Sequence, residues 1–108
     1  MENIIQPQQQ KIKEMEQEYE ANFVFLEDQL NWVINNAKQA NFGFRSLGVL
    51  IKNLNEFCEI SSKKGDNKGV YLKEKLEEFR KIAEEKKDII NDLQVNYLKS
   101  LNLGFLEN

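Results

Sequence analysis

Six cations carry the most regular spacing in this sequence. Lys38, Arg45 and Lys52 recur every seven residues, and Lys73, Arg80 and Lys87 repeat that interval further along. Seven residues make two helical turns, so each set forms a row along one side of a helix. Such rows attract anionic surfaces, and each lysine or arginine near an acidic membrane contributes about 1 kcal/mol. The plainer reading is a solvated face in which lysines pair with glutamates four residues on, as Lys73 with Glu77 and Lys81 with Glu85 would. Residues 36 to 75 hold eight basic and four acidic side chains within a chain of net charge −3, whereas the first 31 residues hold two lysines and seven carboxylates.

Other chemistry finds little to work with. The chain has no histidine, which removes the commonest general base and metal ligand. The single cysteine, Cys58, falls on an apolar seam and reads as a small buried hydrophobe in a reduced compartment. Glu14, Glu16, Glu18 and Glu20 read as a solvated face that complements the positive end of a helix, with no second cluster to complete a metal site. Without a Gly-rich phosphate loop, a nucleophile elbow or a Cys/His set, no enzyme, cofactor or metal is expected. Nor is nucleic acid, since no stacking aromatics lie among the lysines.

The elements that would position these cations are long helices. Apolar or small residues fall at Ile12, Met15, Tyr19, Phe23, Leu26, Leu30, Val33, Ala37, Ala40, Phe44, Leu47, Ile51, Leu54 and Cys58, in steps of three and four. That rhythm predicts one helix over residues 11–62, on the order of 70 Å long, after a flexible lead-in over residues 1–10. Pro7 suits a first helical turn. The glycines at 43 and 48 mark a weak link, read as a bend in the rod in preference to the alternative, close approach of another backbone. Gly65, with Asp66 or Asn67 as cap, predicts a turn over residues 63–69. A second seam through Leu72, Leu76, Phe79, Ala83, Lys86, Ile90, Leu93, Tyr97, Leu101 and Phe105 predicts a helix over residues 70–106.

The fold expected is thus all-α, one domain over residues 11–108: a long antiparallel helical hairpin, coiled-coil-like. Facing positions would sum to about 131, with Ile51 near Arg80 and Phe44 near Lys87. Both basic rows then share one flank, Lys52 beside Arg80 and Arg45 beside Lys87. The other flank is apolar, with Leu50 and Phe57 on the first helix and Ile82 and Ile89 on the second. Phe25, Trp32, Phe42 and Val49 add apolar surface behind the first helix. Two rods bury too little alone, so a second copy or a third helix should cover Phe25, Trp32, Leu50, Phe57, Ile82 and Ile89. No apolar run is long enough for a membrane span and residues 1–10 lack a secretion signal, so a cytoplasmic protein is expected, peripheral at a membrane if the cations touch lipid.

Phe25-Leu26-Glu27-Asp28-Gln29-Leu30 leading to Ala37-Lys38, then Leu47 to Leu54 and Phe57 before a polar Gly/Asp turn, then Leu72, Leu76-Glu77-Glu78-Phe79, Leu93, Leu101 and Phe105, together resemble the first two helices of a BAR domain. The likeness is greatest to BAR domains that precede pleckstrin-homology domains in Arf GTPase-activating and Rab-effector adaptor proteins, and it covers about residues 14 to 106. It implies a crescent-shaped homodimer on curved anionic membrane, with Lys38, Arg45, Lys52, Lys73, Arg80 and Lys87 as the membrane contacts. A BAR domain has a third long helix, so the resemblance also implies a fragment of a longer protein or a helix supplied from elsewhere. The alternative is a coiled-coil subunit of a cytosolic multiprotein assembly whose apolar flank docks partner helices.

Overall fold

The computed structural model describes residues 7–42 and 47–101, and all the regular structure there is α-helical. The helices are α1 (Pro7–Lys38), α2 (Leu47–Lys64), α3 (Lys68–Glu85) and α4 (Asp92–Ser100). Pro7 opens α1, where its fixed φ and missing N–H match a first turn.

The single rod expected over residues 11–62 is instead two helices that fold back on each other. α1 stops at Lys38, and Ala40 takes a φ of 59°, in the left-handed region. The Ala40 N–H donates to the Ala37 carbonyl and the Asn41 N–H to the Asn36 carbonyl, both at 2.9 Å. This is a Schellman closure with alanine in the place usually held by glycine. A left-handed alanine costs roughly 1–2 kcal/mol. The burial that follows is larger. Phe42 is 1% exposed with its ring 6.0 Å from that of Phe79, and Leu50 and Phe57 are 7% and 4% exposed. Fully burying one such side chain contributes about 1.5–3 kcal/mol, so folding back outweighs the strain. A straight rod would have left Leu50 and Phe57 in water. The weak link expected at Phe42 to Gly48 lies just beyond the true helix end; Gly43, Phe44, Arg45 and Ser46 fall outside the described residues, and Gly48 lies within α2.

The second turn forms where the sequence places it. Gly65 has a φ of 70°, its N–H donates to the Ser62 carbonyl at 3.1 Å, and the Asp66 N–H donates to the Ser61 carbonyl at 3.0 Å. The Asp66 carboxylate then accepts the Lys68 N–H at 3.1 Å, which starts α3. The helix expected over residues 70–106 is also divided. α3 ends at Glu85, beside the one lysine in its seam, and Asn91 caps α4 by accepting the Gln94 N–H at 2.8 Å. That break turns Ile90 and Leu98 into the core. Phe105 lies outside the described residues.

α2 runs antiparallel to α1, since Phe57 near its end meets Tyr19 and Phe23 early in α1. α3 packs on both and advances in step with α1, through Lys68 to Glu20, Tyr71 to Glu27 and Lys75 to Asn31. Division of the expected first rod into α1 and α2 thus gives a bundle of three packed helices, α1, α2 and α3, in place of the two-rod hairpin. α4 lies at the opposite end from the second turn, where the Gly48 N–H donates to the Tyr97 hydroxyl at 3.3 Å. The fold measures 68 × 22 × 18 Å with a radius of gyration of 17.7 Å, against about 13 Å for a compact domain of this length. The largest single part of that length is α1. Its 32 residues span about 48 Å, whereas α2 and α3 with 18 each span about 27 Å.

Candidate functional site

The length mismatch creates the most distinctive surface of the molecule. The buried stripe of α1 runs through Ala37, Val33, Leu30, Leu26 and Tyr19. It continues at the same spacing to Met15 and Ile12, which are 58% and 57% exposed. Cover ends at the second turn, because the Tyr19 hydroxyl donates to Asp66 at 2.9 Å there. Every residue from Gln8 to Glu18 is exposed.

This uncovered stripe leads into a groove of about 500 Å³ between α1 and α2. Ile12, Met15, Asn22, Phe25 and Leu26 line it from α1, and Asn53, Glu56, Phe57, Ile60 and Lys64 from α2. Tyr19 and Phe57 stack on its floor with centroids 4.6 Å apart and planes 7° from parallel, and the Lys64 ammonium lies 4.9 Å from the centre of the Tyr19 ring. Phe25 and Ile60 stand at its rim, 57% and 50% exposed. Glu16, Glu18 and Glu56 complete the lining and form no ion pair among the described residues. An apolar floor with a carboxylate rim is suited to receiving an amphipathic side of another molecule.

A polar clamp fixes one end of this groove. Burial alone would raise the Asp66 carboxyl, but hydrogen bonds from the Lys68 backbone, the Tyr19 hydroxyl and the Lys68 ammonium outweigh it and hold it below the usual range. The Lys68 ammonium is correspondingly pushed up by Asp66 and Glu20, and burial pushes the Tyr19 hydroxyl up. Ser61, 1% exposed, donates to the Asp66 carbonyl at 2.9 Å and accepts the Gly69 N–H at 3.0 Å.

Five of the six candidate membrane cations lie among the described residues. Lys38 is exposed at the end of α1, and Lys52 and Lys73 line a shallow groove between α2 and α3. Arg80 is clamped by Glu77 at 2.6 Å and Glu84 at 2.9 Å, so Glu77 is taken by Arg80 instead of Lys73. Lys87 is exposed beyond α3, and Arg45 lies outside the described residues. Of the expected partner-facing residues, Leu50 and Phe57 are buried in the core of this chain, Phe57 at the floor of the groove, and Ile82 packs against that core. Phe25, Trp32 and Ile89 are exposed. Cys58 is half-buried with its Sγ 3.5 Å from the Gly69 carbonyl, and burial pushes its thiol up, away from a reactive thiolate.

Sequence reasoning assigned Ile12 and Met15 to the core and missed Ile60, Glu16, Glu18 and Glu56 as groove residues. The apolar spacing itself holds no mark of where the cover of that stripe ends. No described helix is long and apolar enough to cross a membrane. The chain matches no protein-family model, no curated protein and no solved structure.

Proposed function

We propose that this chain is a non-enzymatic helical interaction module, a coiled-coil-type subunit of a cytoplasmic multiprotein assembly that receives a partner helix in the groove between α1 and α2. One observation carries the reading: the core stripe of α1 outruns its own bundle, so Met15 and Ile12 continue an interface that α2 and α3 are too short to finish. Helix-in-groove docking uses anchors at such spacing. A photo-crosslinking side chain at position 25 or 60 should join the chain to the same partner in cells, one at position 78 on α3 should not, and Met15→Asp should abolish the adduct. Equal adducts from all three positions would remove the reading.

A BAR-like membrane scaffold is the second reading, supported by Lys52 and Lys73 sharing one surface with no ion pair among the described residues. The neutralised Arg80 and the division of both long helices weigh against it. It predicts sedimentation with anionic but not neutral vesicles, reduced by Lys52→Glu with Lys73→Glu.

A further inference from the structure

We infer that the occupant of the α1–α2 groove is a basic amphipathic helix from a different protein, an inference that rests on the helix-docking function proposed above. Charge decides the class. Glu16, Glu18 and Glu56 stand around an apolar floor with no ion pair among the described residues, while Lys64, the groove's lysine, is held over the Tyr19 ring. Lysines or arginines flanking an apolar stripe would meet those carboxylates, and the stripe itself would lie on Met15, Phe25 and Ile60. Length sets the size. The α1 wall from Ile12 to Phe25 rises about 20 Å, the span of a partner helix of about 14 residues.

A second copy of this chain fits the apolar surface but not its charge. Two α1 overhangs paired antiparallel through this stripe, about a twofold axis near Gln17, would bring Glu16 and Glu18, which flank it, beside the same two residues of the other copy. Like charges juxtaposed in an interface cost several kcal/mol, by order of magnitude. An anionic lipid surface meets the same carboxylates. A cationic helix turns this rim from an obstacle into the source of selectivity.

The test uses the whole chain and two designed helical peptides of about 18 residues, with identical leucine faces and either lysine or glutamate on the polar face. Calorimetric titration should show the lysine peptide binding at least about tenfold tighter, with an affinity that falls as salt rises. Amide-exchange protection should concentrate on residues 12–26 and 53–64. The triple variant Glu16→Lys, Glu18→Lys, Glu56→Lys should reverse the preference. Glu74→Lys, Glu78→Lys, Glu85→Lys carries the same net change on exposed positions of α3 and should retain it. Equal affinity for both peptides, or equal effects of the two triple variants, overturns the basic-partner inference while leaving helix docking in place. If neither peptide binds, and Ile60→Asp and Phe25→Ser leave the exchange pattern of the chain unaltered in cell extract, the docking function itself fails. Sedimentation as a dimer that Met15→Asp dissolves would assign the groove to a second copy and overturn the inference as well.

Discussion

α1 and α2 end with the same pair of backbone hydrogen bonds and different residues to make them. At the end of α1 the left-handed position is Ala40, and at the end of α2 it is Gly65. The surroundings differ more than the bonds do. Around the first closure the Asn41 amide donates to the Asn36 side chain at 3.0 Å on the surface, and the next residue, Phe42, is driven into the core. Around the second, Ser61, Asp66, Tyr19 and Lys68 interlock, while Gly65 itself faces open space. The first turn is thus held by what comes after it, through hydrophobic burial. The second is held by side chains within the turn, and glycine removes the backbone strain. The same chain reversal is reached by two different balances of terms.

Ser61→Ala is the largest expected break of that comparison. It leaves the buried Gly69 N–H without its acceptor and the Asp66 carbonyl without its donor, and a buried polar group left unpaired costs about 1–3 kcal/mol. The midpoint of urea unfolding should fall accordingly. Asn41→Ala, which removes an exposed side-chain bond at the first turn, should shift that midpoint by no more than a few tenths of a kcal/mol, by order of magnitude. Equal losses would show that the second turn is not the interlocked one.

Exchanging the two left-handed residues sharpens the contrast next. A Cβ added at Gly65 meets no atom within 4 Å, so Gly65→Ala reports backbone strain alone and should destabilise by about 1 kcal/mol. Ala40→Gly relieves the corresponding strain but adds freedom to the unfolded chain, so a smaller gain of about 0.5 kcal/mol is expected. Thermal melts of the two single variants check both signs. A loss in Ala40→Gly would mean that the alanine methyl makes a packing contribution larger than its strain.

These two turns also show what could be read from the sequence. Gly65 announced a left-handed closure, and the lysines and Asp66 around it agreed. Ala40 carries no such mark, because nothing in its type suggests a positive φ, so the apolar rhythm ran on across it and joined two helices into one. The all-α class and the buried seam from Tyr19 to Ala37 were legible because a 3-4 spacing constrains both. The start of α4 was legible too, as Asn91 with Gln94 three residues on is a capping pattern, but the continuing seam obscured it. Periodicity has no knowledge of how far a covering helix reaches, which is why Ile12 and Met15 looked like core. The clamp on Arg80 was visible as carboxylates three residues before and four after it, a spacing that outweighs the seven-residue repeat assigned to an open basic row.

The smallest expected effect is the dependence of the second turn on pH, which the first turn should lack. Asp66 has its folded pKa lowered from 3.8, so its contribution to stability is fully present above that value and is lost as pH falls through the folded pKa. Lys68 and Tyr19 are raised from 10.5 and 10.0, so their contributions are present below those values and are lost as pH climbs past them. The gap in melting temperature between the native chain and Asp66→Asn should therefore be level through neutral pH and close at both extremes. It should narrow below 3.8 as the carboxylate takes a proton, and above 10.5 as the ammonium loses one. The native chain compared with Asn41→Ala should show no such closing, because no titrating side chain is in that bond. A Tyr19→Phe variant separates the two partners of Asp66: it should weaken the acid dependence while leaving the Lys68 contribution at high pH. An Asp66→Asn gap that persists unchanged into strong acid would mean the turn is held by Ser61 and the backbone closure without help from the carboxylate.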